Sequence, residues 1–297
     1  MSSTLDATAR PTPPAGRGRG RRPARGGRPT SRVASGNTLS AGSALGLGIA
    51  LTWFSLLVLI PLTAIVVTAS ERGWSGYWRT ITNEQTLAAV QLTVGQALLV
   101  TAVNIVMGTM IAWVLVRDRF WGKAILDVII DIPFALPTIV TGLVLLGLFG
   151  PSSPIGLDWA YAPQAVFLAL AFVTLPFIVR TVQPVLGELE KDVEEAAASL
   201  GASRGTIIRR IILPSLTPAI AAGAALSFAR AIAEYGSLVL LSGNKPFSTE
   251  VVSVRVLTFI ENGSTSSAAA IASLMLFVAL VVIVLLDLIQ RRVSRRG

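Results

Sequence analysis

Long apolar runs are the feature that most constrains how this chain can fold. Six of them are expected to be helices, at residues 45–68, 92–116, 125–149, 162–179, 216–241 and 268–286. At 1.5 Å per residue, each can cross a hydrocarbon core of about 30 Å. Only 14% of the 297 residues are charged, whereas a soluble globular domain usually has about 25%. The sequence therefore predicts an all-α, polytopic membrane protein with six transmembrane helices.

The Lys and Arg residues are distributed unevenly between the two sides that these spans define. With both termini in the cytoplasm, twenty of the 25 lie in cytoplasmic segments and Arg230 lies inside a span. The outer segments hold Arg72, Arg79, Lys245 and Arg255. Positive charge favours the cytoplasmic side, and an odd number of spans would place one basic end outside. We expect a multi-pass protein of the cell inner membrane, with lipid rather than nucleic acid around it.

Three regions follow from the composition along the chain. Residues 1–44 are rich in Pro, Gly, Ser and Arg, which predicts a disordered, basic cytoplasmic tail. Residues 45–70 are too long for the apolar part of a cleaved signal peptide, so they are expected to remain as the first transmembrane helix. Residues 88–290 are expected to form the main transmembrane domain.

The absence of two residue types argues against an enzyme. The chain has no Cys and no His, which removes thiol nucleophiles, disulfides, common zinc ligands and the usual neutral-pH general base. The spans hold too few carboxylates to replace them. The sequence also lacks the G-x4-G-K-[ST] phosphate loop. We therefore expect no catalytic residue, no metal site and no cofactor in this chain.

Residues 181–214 form the longest internal loop on the cytoplasmic side, and their pattern predicts helix, sharp turn and helix. Gly201 suits the left-handed position that ends the first helix, and Ser203 can cap the second. Pro214 is expected to end the second helix before the fifth span. Acidic residues stand early, where the helix dipole favours them: Glu188, Glu190, Asp192, Glu194 and Glu195. Physics alone allows either a docking element for a soluble partner or an amphipathic hairpin at the membrane surface.

This loop resembles the EAA loop of ABC importer permeases, whose pattern is E-A-A-x3-G-x9-I-x-L-P. Every fixed position is met, by Glu195, Ala196, Ala197, Gly201, Ile211, Leu213 and Pro214. The resemblance implies a type I ABC importer permease fold in which these residues couple to an ATPase. It also implies that ATP and Mg are used by a partner ATPase dimer.

Four further stretches resemble the T-type permease of the sulfate/thiosulfate importer, within a likeness that covers about residues 45–290. They are residues 131–137, 175–184, 227–237 and 242–244. The resemblance implies a second, related permease, in a heterodimer, and a periplasmic or lipid-anchored sulfate-binding protein. Molybdate or tungstate permeases are the alternative, and the choice between sulfate and thiosulfate stays open. The pattern departs at Ala233, where the T-type family is expected to have glycine.

Arg230 and Glu234 stand four residues apart in the fifth predicted span, so they share a helix face. Charged residues at such a depth normally face the bundle interior or a wet cavity. The pair either locks helix packing or lines the translocation path or its gate, together with Tyr235 and Ser237. Both interpretations remain open from the sequence.

The start of the third span carries Asp127 and Asp131. They are close in sequence to Arg117, Arg119 and Lys123, and both are expected to pair with basic groups at the inner interface.

Pro133 and Pro137 predict that the third span is bent. Paired broken helices also occur in ion-coupled secondary transporters, which are the less favoured alternative. The sequence shows no convincing internal repeat, and that alternative leaves residues 181–214 without a role.

Overall fold

The computed structural model describes residues 41–189 and 191–294. The contacts divide the chain between Leu51 and Thr52, and the described residues from Thr52 onward form one compact unit. Within the described residues the regular structure is entirely helical. The α-helices are α1 Ala41–Phe54, α2 Ile60–Ser70, α3 Gly73–Ile81, α4 Glu84–Arg117, α5 Lys123–Ala135, α6 Thr138–Phe149, α7 Pro163–Glu188, α8 Lys191–Ser199, α9 Arg204–Ile207, α10 Leu213–Ile232, α11 Gly236–Leu241, α12 Val252–Glu261 and α13 Thr265–Ser294.

Five helical stretches are long and apolar enough to cross a membrane, and a sixth is a bent pair. The five are Gly42–Ser70, Glu84–Arg117, Pro163–Glu188, Arg204–Ile232 and Thr265–Arg292. The sixth joins α5 to α6 through a bend of 117°, so the described residues hold six spans if that pair counts as one. Helix α1 begins at Ala41, so residues 41–44 are helical rather than part of a tail. The rest of the predicted tail, residues 1–40, lies outside the described residues.

The bend in the third span lies where Leu136 meets Pro137. Leu136 has an extended backbone, as is usual for a residue that precedes proline. Pro133 lies inside α5 and does not break it. The predicted bent helix is therefore present, and the second proline marks the break.

Two π-helical segments allow prolines to follow without ending the helix. They are Ser55–Leu59, before Pro61, and Ile208–Ile212, before Pro214. A proline ring normally clashes with the carbonyl four residues earlier, and the wider π turn relieves that crowding. The prediction that Pro214 ends a helix is therefore wrong, because Arg204–Ile232 is one continuous stretch.

The fifth span ends earlier than the predicted 216–241. Helix α10 ends at Ile232, and α11 begins at Gly236 after a break at residues 233–235. The physical reason lies in Glu234, whose carboxylate accepts a hydrogen bond from the Ser237 N–H in the first turn of α11.

Helices α4, α7 and α10 pack together at the centre of the bundle. One buried cluster includes Leu170 and Phe228, and a second includes Ile178 and Leu216. Between them the buried Asn104 Nδ2 donates a hydrogen bond of 2.9 Å to Thr174 Oγ1, which ties α4 to α7. Many leucines, isoleucines and valines on the outer helices are exposed, which suits lipid as the surrounding solvent.

Candidate coupling surface and translocation site

Helix α8 ends in a Schellman turn at Gly201. The Gly201 N–H donates to the Ala198 carbonyl at 2.9 Å, and the Ala202 N–H donates to the Ala197 carbonyl at 3.0 Å. Gly201 has φ = +86°, a conformation that glycine adopts at little cost. Ser203 Oγ accepts from the Thr206 N–H and caps the second helix. The structure thus contains the predicted helix, turn and helix.

The turn between α8 and α9 presents an exposed surface. Glu195, Ala196 and Gly201 are exposed, and Leu200 is 90% exposed. An apolar side chain held in the open by a sharp turn is suited to burial against a partner. Leu200 was missed from the sequence, although a leucine next to a helix-ending glycine is a signal that could have found it.

The second half of the loop divides into a buried and an exposed side. Ile207 and Ile212 are buried, while Leu213 is 47% exposed. Ile211 and Pro214 are partly buried. The residues of the E-A-A-x3-G-x9-I-x-L-P pattern therefore do not form one patch. Glu195, Ala196 and Gly201 face outward, while Ile211 and Pro214 help to seat α9 and the start of α10 against the bundle.

Arg117, at the end of α4, is bound to this loop. Its Nη2 lies 2.5 Å from Glu194 Oε1, and the two side chains are only 12% and 22% exposed. The guanidinium also lies 5.9 Å from the Trp113 ring centre. A movement of α8 therefore bears directly on the end of α4.

Asp127 and Asp131 share one basic partner, Arg180 on α7. Arg180 Nε and Nη2 each donate to one oxygen of Asp131 at 2.7 Å, and Nη1 donates to Asp127 Oδ1 at 2.7 Å. Gln183 Oε1 accepts from Nη1 at 2.6 Å. The predicted pairing with a basic group is therefore confirmed, and that group is Arg180 rather than one of the nearby residues 117, 119 and 123. Residues 127 and 131 lie one helical turn apart on α5, so the planar fork of one arginine on α7 reaches both.

Glu234 holds the break in the fifth span together. Its Oε1 accepts from the Ser237 N–H at 2.9 Å and from Ser237 Oγ at 2.8 Å. Its Oε2 forms an ion pair of 2.7 Å with Arg230 Nη2, without the alignment of a directed hydrogen bond. The Glu234 carbonyl accepts from Ser253 Oγ at 2.7 Å. The Glu234 side chain, which is 1% exposed, thus joins the end of α10 to the start of α11. The backbone carbonyl of the same residue ties the break to α12.

The two broken spans touch each other closely at their breaks. A Cβ on Gly236 would lie 2.1 Å from Thr138 Oγ1, and one on Gly142 would lie 2.6 Å from the Ser237 carbonyl oxygen. Only glycine permits this approach of α11 to α6. The start of α11 is therefore fixed on both sides, by Glu234 and by the backbone of α6.

Tyr235 faces a different part of the molecule from its neighbours. It lines a cleft of about 570 Å³ with Ala229, Ala233 and Ser253. Arg230, Glu234 and Ser237 do not line that cleft. The structure therefore brings three of the four candidate path residues together and places the fourth elsewhere.

The helical membrane domain has broken spans and an exposed helix-turn-helix. These features are typical of the membrane subunits of transporters. The family described as the binding-protein-dependent transport system inner membrane component matches residues 104–296. This chain belongs to that family.

Among curated proteins, the sulfate transport system permease protein CysT of Salmonella typhimurium is 40% identical over 262 residues, which cover 86% of this chain and 95% of that protein. CysT of Escherichia coli is 40% identical over 263 residues, with the same coverage. CysT of Synechocystis is 40% identical over 250 residues, which cover 82% of this chain and 87% of that protein.

The fold matches solved importer structures at lower identity. A chain of a bacterial ABC transporter that imports the acidic polysaccharide alginate aligns with TM-score 0.70 and 18% identity. The alignment covers 84% of this chain and 95% of that one. The same transporter, bound to an alginate pentasaccharide-loaded periplasmic protein, aligns with TM-score 0.70 over 84% of this chain and 94% of that one. The fold of this chain is that of an ABC importer permease.

Proposed function

We propose that this chain is the permease subunit of an ATP-driven importer for sulfate, and that it forms half of the transmembrane path. The observation that carries the proposal is 40% identity over 95% of the length of proteins named as sulfate transport permeases. Thiosulfate is the alternative anion for the same path. A molybdate or tungstate importer is the alternative that shares the loop pattern.

The surface formed by α8 and α9 supports a soluble ATPase dimer as the partner at this end of the bundle. Leu200 and the small residue Ala196 are exposed there, and the Schellman turn holds their backbone in one conformation. ATP binding in the partner would draw the two coupling surfaces together. The Arg117–Glu194 ion pair would pass that movement to α4. ATP and Mg belong to the partner in this proposal.

The remaining partners follow from the class. A second, related permease would complete the path, and a periplasmic or lipid-anchored binding protein would deliver the anion at the end opposite α8 and α9. The chain would lie in the inner membrane of the cell, with both termini in the cytoplasm.

The residues at the break in the fifth span have two different roles. Glu234 and Ser237 already satisfy each other, so the N-terminus of α11 is occupied by a carboxylate of this chain. Arg230 is partly exposed, whereas Glu234 is buried. We therefore assign Glu234 and Ser237 a structural role, in which they hold α10 and α11 together at the break. We assign Arg230 a position beside the break where a passing anion can meet it. A path that must release its ion cannot bind it tightly, so a half-neutralised arginine is suitable.

Co-purification and uptake together test this function. The tagged chain, expressed with its genomic neighbours and extracted in mild detergent, should retain an ATPase and a second permease. Proteoliposomes of that complex, supplied with the binding protein, should take up ³⁵S-sulfate only with ATP, and excess molybdate should compete weakly. Absence of any ATPase would refute the importer. Uptake of molybdate in preference to sulfate would refute the substrate alone.

A further inference from the structure

A polar pocket lies at the end of the bundle opposite α8 and α9. Its volume is about 560 Å³, and its lining residues are Arg72, Gly76, Arg79, Thr80, Asn83, Arg255 and Phe259. Three of the four basic residues that the sequence assigns to the outer segments thus converge on one pocket. The fourth, Lys245, lies near Tyr161 instead.

Helix α3 explains why two of these arginines point to the same place. Gly76, Arg79 and Thr80 fall on one face of α3, with Arg72 just before the helix, and this face lines the pocket. Trp74, Tyr77 and Trp78 occupy another face, where the Trp74 ring stacks on Tyr77 at 5.6 Å and on Trp78 at 6.1 Å. Exposed tryptophans are typical of the membrane–water interface. Helix α3 therefore suits a position at the outer interface, with its arginines turned towards α12.

The positive charge of the pocket is only partly balanced by the protein. Among the described residues Arg79 has no hydrogen bond or ion pair, and Arg72 donates to the neutral Ser267 Oγ at 3.1 Å. Arg255 lies 3.8 Å from Glu250 Oε1. The other oxygen of Glu250 accepts from Gln85 at 2.7 Å. Of these three guanidinium groups, Arg255 alone has a carboxylate partner within the described residues, and that carboxylate also accepts from Gln85.

Arg255 is held as a fixed and incompletely satisfied donor. Its guanidinium lies 4.7 Å from the Phe259 ring centre, and its buried Nε has no hydrogen-bond partner in the described part of the chain. Asn83 contributes in the same sense, because its Oδ1 already accepts from the Thr86 N–H. The two amide N–H donors of Asn83 are then available to the pocket. Unpaired donors and excess positive charge call for an anionic acceptor.

We propose that the pocket formed by Arg72, Arg79 and Arg255 binds a tetrahedral oxyanion. Arginine forks match the paired oxygens of sulfate and phosphate groups, and a cluster at the outer face raises the local concentration of anions near the path. Two sources carry this chemistry: free sulfate, or the phosphate of a lipid headgroup that reaches the pocket from the interface beside α3. The sulfate source rests on the proposed function, whereas the lipid source does not.

The test uses the complete transporter in nanodiscs, without nucleotide or binding protein. In discs of phosphatidylcholine alone, equilibrium binding of ³⁵S-sulfate is measured for the wild type, Arg79→Gln and Arg255→Gln. Lys245→Gln is the matched control, since it removes an outer positive charge away from the pocket. In discs that contain phosphatidylglycerol, the amount of that lipid retained per complex is measured by mass spectrometry. Arg79 is exposed, so its variant keeps the fold even if Arg255→Gln does not.

If free sulfate is the ligand, both pocket variants raise the Kd for sulfate about tenfold while Lys245→Gln leaves it unchanged. If sulfate binding is unchanged but retained phosphatidylglycerol falls in the pocket variants alone, the oxyanion site stands with lipid as its source. The proposal is overturned if the pocket variants change neither sulfate binding nor retained phosphatidylglycerol. It is also overturned if Lys245→Gln weakens sulfate binding and lipid retention as much as the pocket variants do. Uptake of sulfate by the wild type is measured in parallel, so failure of the transport function is recognised separately.

Discussion

Arg117 and Glu194 form an ion pair of 2.5 Å between the last turn of α4 and the first turn of α8. Both side chains are largely shielded by the protein, so the pair is less screened than a surface pair. In the structure it is a short polar connection between the protruding loop and the central helices. Substitutions in this pair therefore test whether a movement of α8 is passed to α4.

The first prediction is that Arg117→Gln uncouples the transporter without releasing the ATPase. Loss of the ion pair is expected to weaken the connection by about 1 kcal/mol, which corresponds to a several-fold loss of uptake per ATP hydrolysed. The measurement is ³⁵S-sulfate uptake together with phosphate release in proteoliposomes. The charge exchange Arg117→Glu with Glu194→Arg should recover much of the coupling. Unchanged coupling in both single variants, Arg117→Gln and Glu194→Gln, would show that the pair has no such role.

The second prediction concerns the turn at Gly201. A Cβ here would meet no atom within 4 Å, so a substitution acts through the left-handed backbone and not through a clash. Gly201→Val is expected to strain the turn by about 1–2 kcal/mol and to reduce ATPase co-purification. Gly201→Asn is the matched control, because asparagine adopts this conformation more readily. Equal retention of the ATPase by both variants would contradict the proposed role of the turn.

The third prediction concerns the contact between the two broken spans. A Cβ on Gly142 would overlap the backbone of Ser237, whereas one on Gly147, in the same helix, would meet nothing within 4 Å. Gly142→Ala is expected to destabilise the protein by about 1–3 kcal/mol. Gly147→Ala should be neutral or slightly stabilising, because alanine favours a helix. Thermal unfolding in detergent measures both, and an unaltered Tm for Gly142→Ala would argue against the close approach.

The fourth prediction concerns the arginine that joins α5 to α7. Arg180→Lys keeps the charge but loses the fork that binds Asp131 through two parallel hydrogen bonds. We expect destabilisation of about 1–2 kcal/mol, seen as a lower Tm. Arg291→Lys is the control, since its pair with Asp287 is exposed. Equal Tm values for the two variants would show that the fork adds nothing to stability.

The fifth prediction separates Glu234 from Arg230. Glu234→Ala removes the acceptor for Ser237 and the partner of Arg230, so assembly of the complex should fall. Arg230→Gln should leave assembly intact and lower sulfate uptake. Full recovery of uptake on exchanging the two residues would instead assign both to packing. Co-purification of the second permease and uptake in the same preparation distinguish these results.

Local rules were enough to predict the loop between the fourth and fifth spans. Gly201 and Ser203 act through backbone groups within a few residues of themselves, so the Schellman turn and the helix cap follow from the chain order alone. The same rules failed at Pro214. A π-helical segment lies before that proline, and sequence patterns for ordinary helices do not include it.

The identity of an ion-pair partner on another helix was not predictable in the same way. Asp127 and Asp131 are closer in sequence to Arg117, Arg119 and Lys123, yet they bind Arg180 because α5 packs on α7. Sequence distance is a poor guide to ion pairs between helices, since a helix end is placed by the packing of its apolar faces.

The sequence by itself determined that the helices face lipid, how many spans the chain has, and where the exposed helix-turn-helix lies. These depend on apolar length, charge distribution and local turn chemistry, which are properties of continuous segments. Only the tertiary structure showed that the fifth span breaks at Glu234, that Gly142 and Gly236 join the two broken spans, and that three outer arginines share one pocket. Each of these features depends on side chains that lie far apart in the chain and meet only when the helices pack.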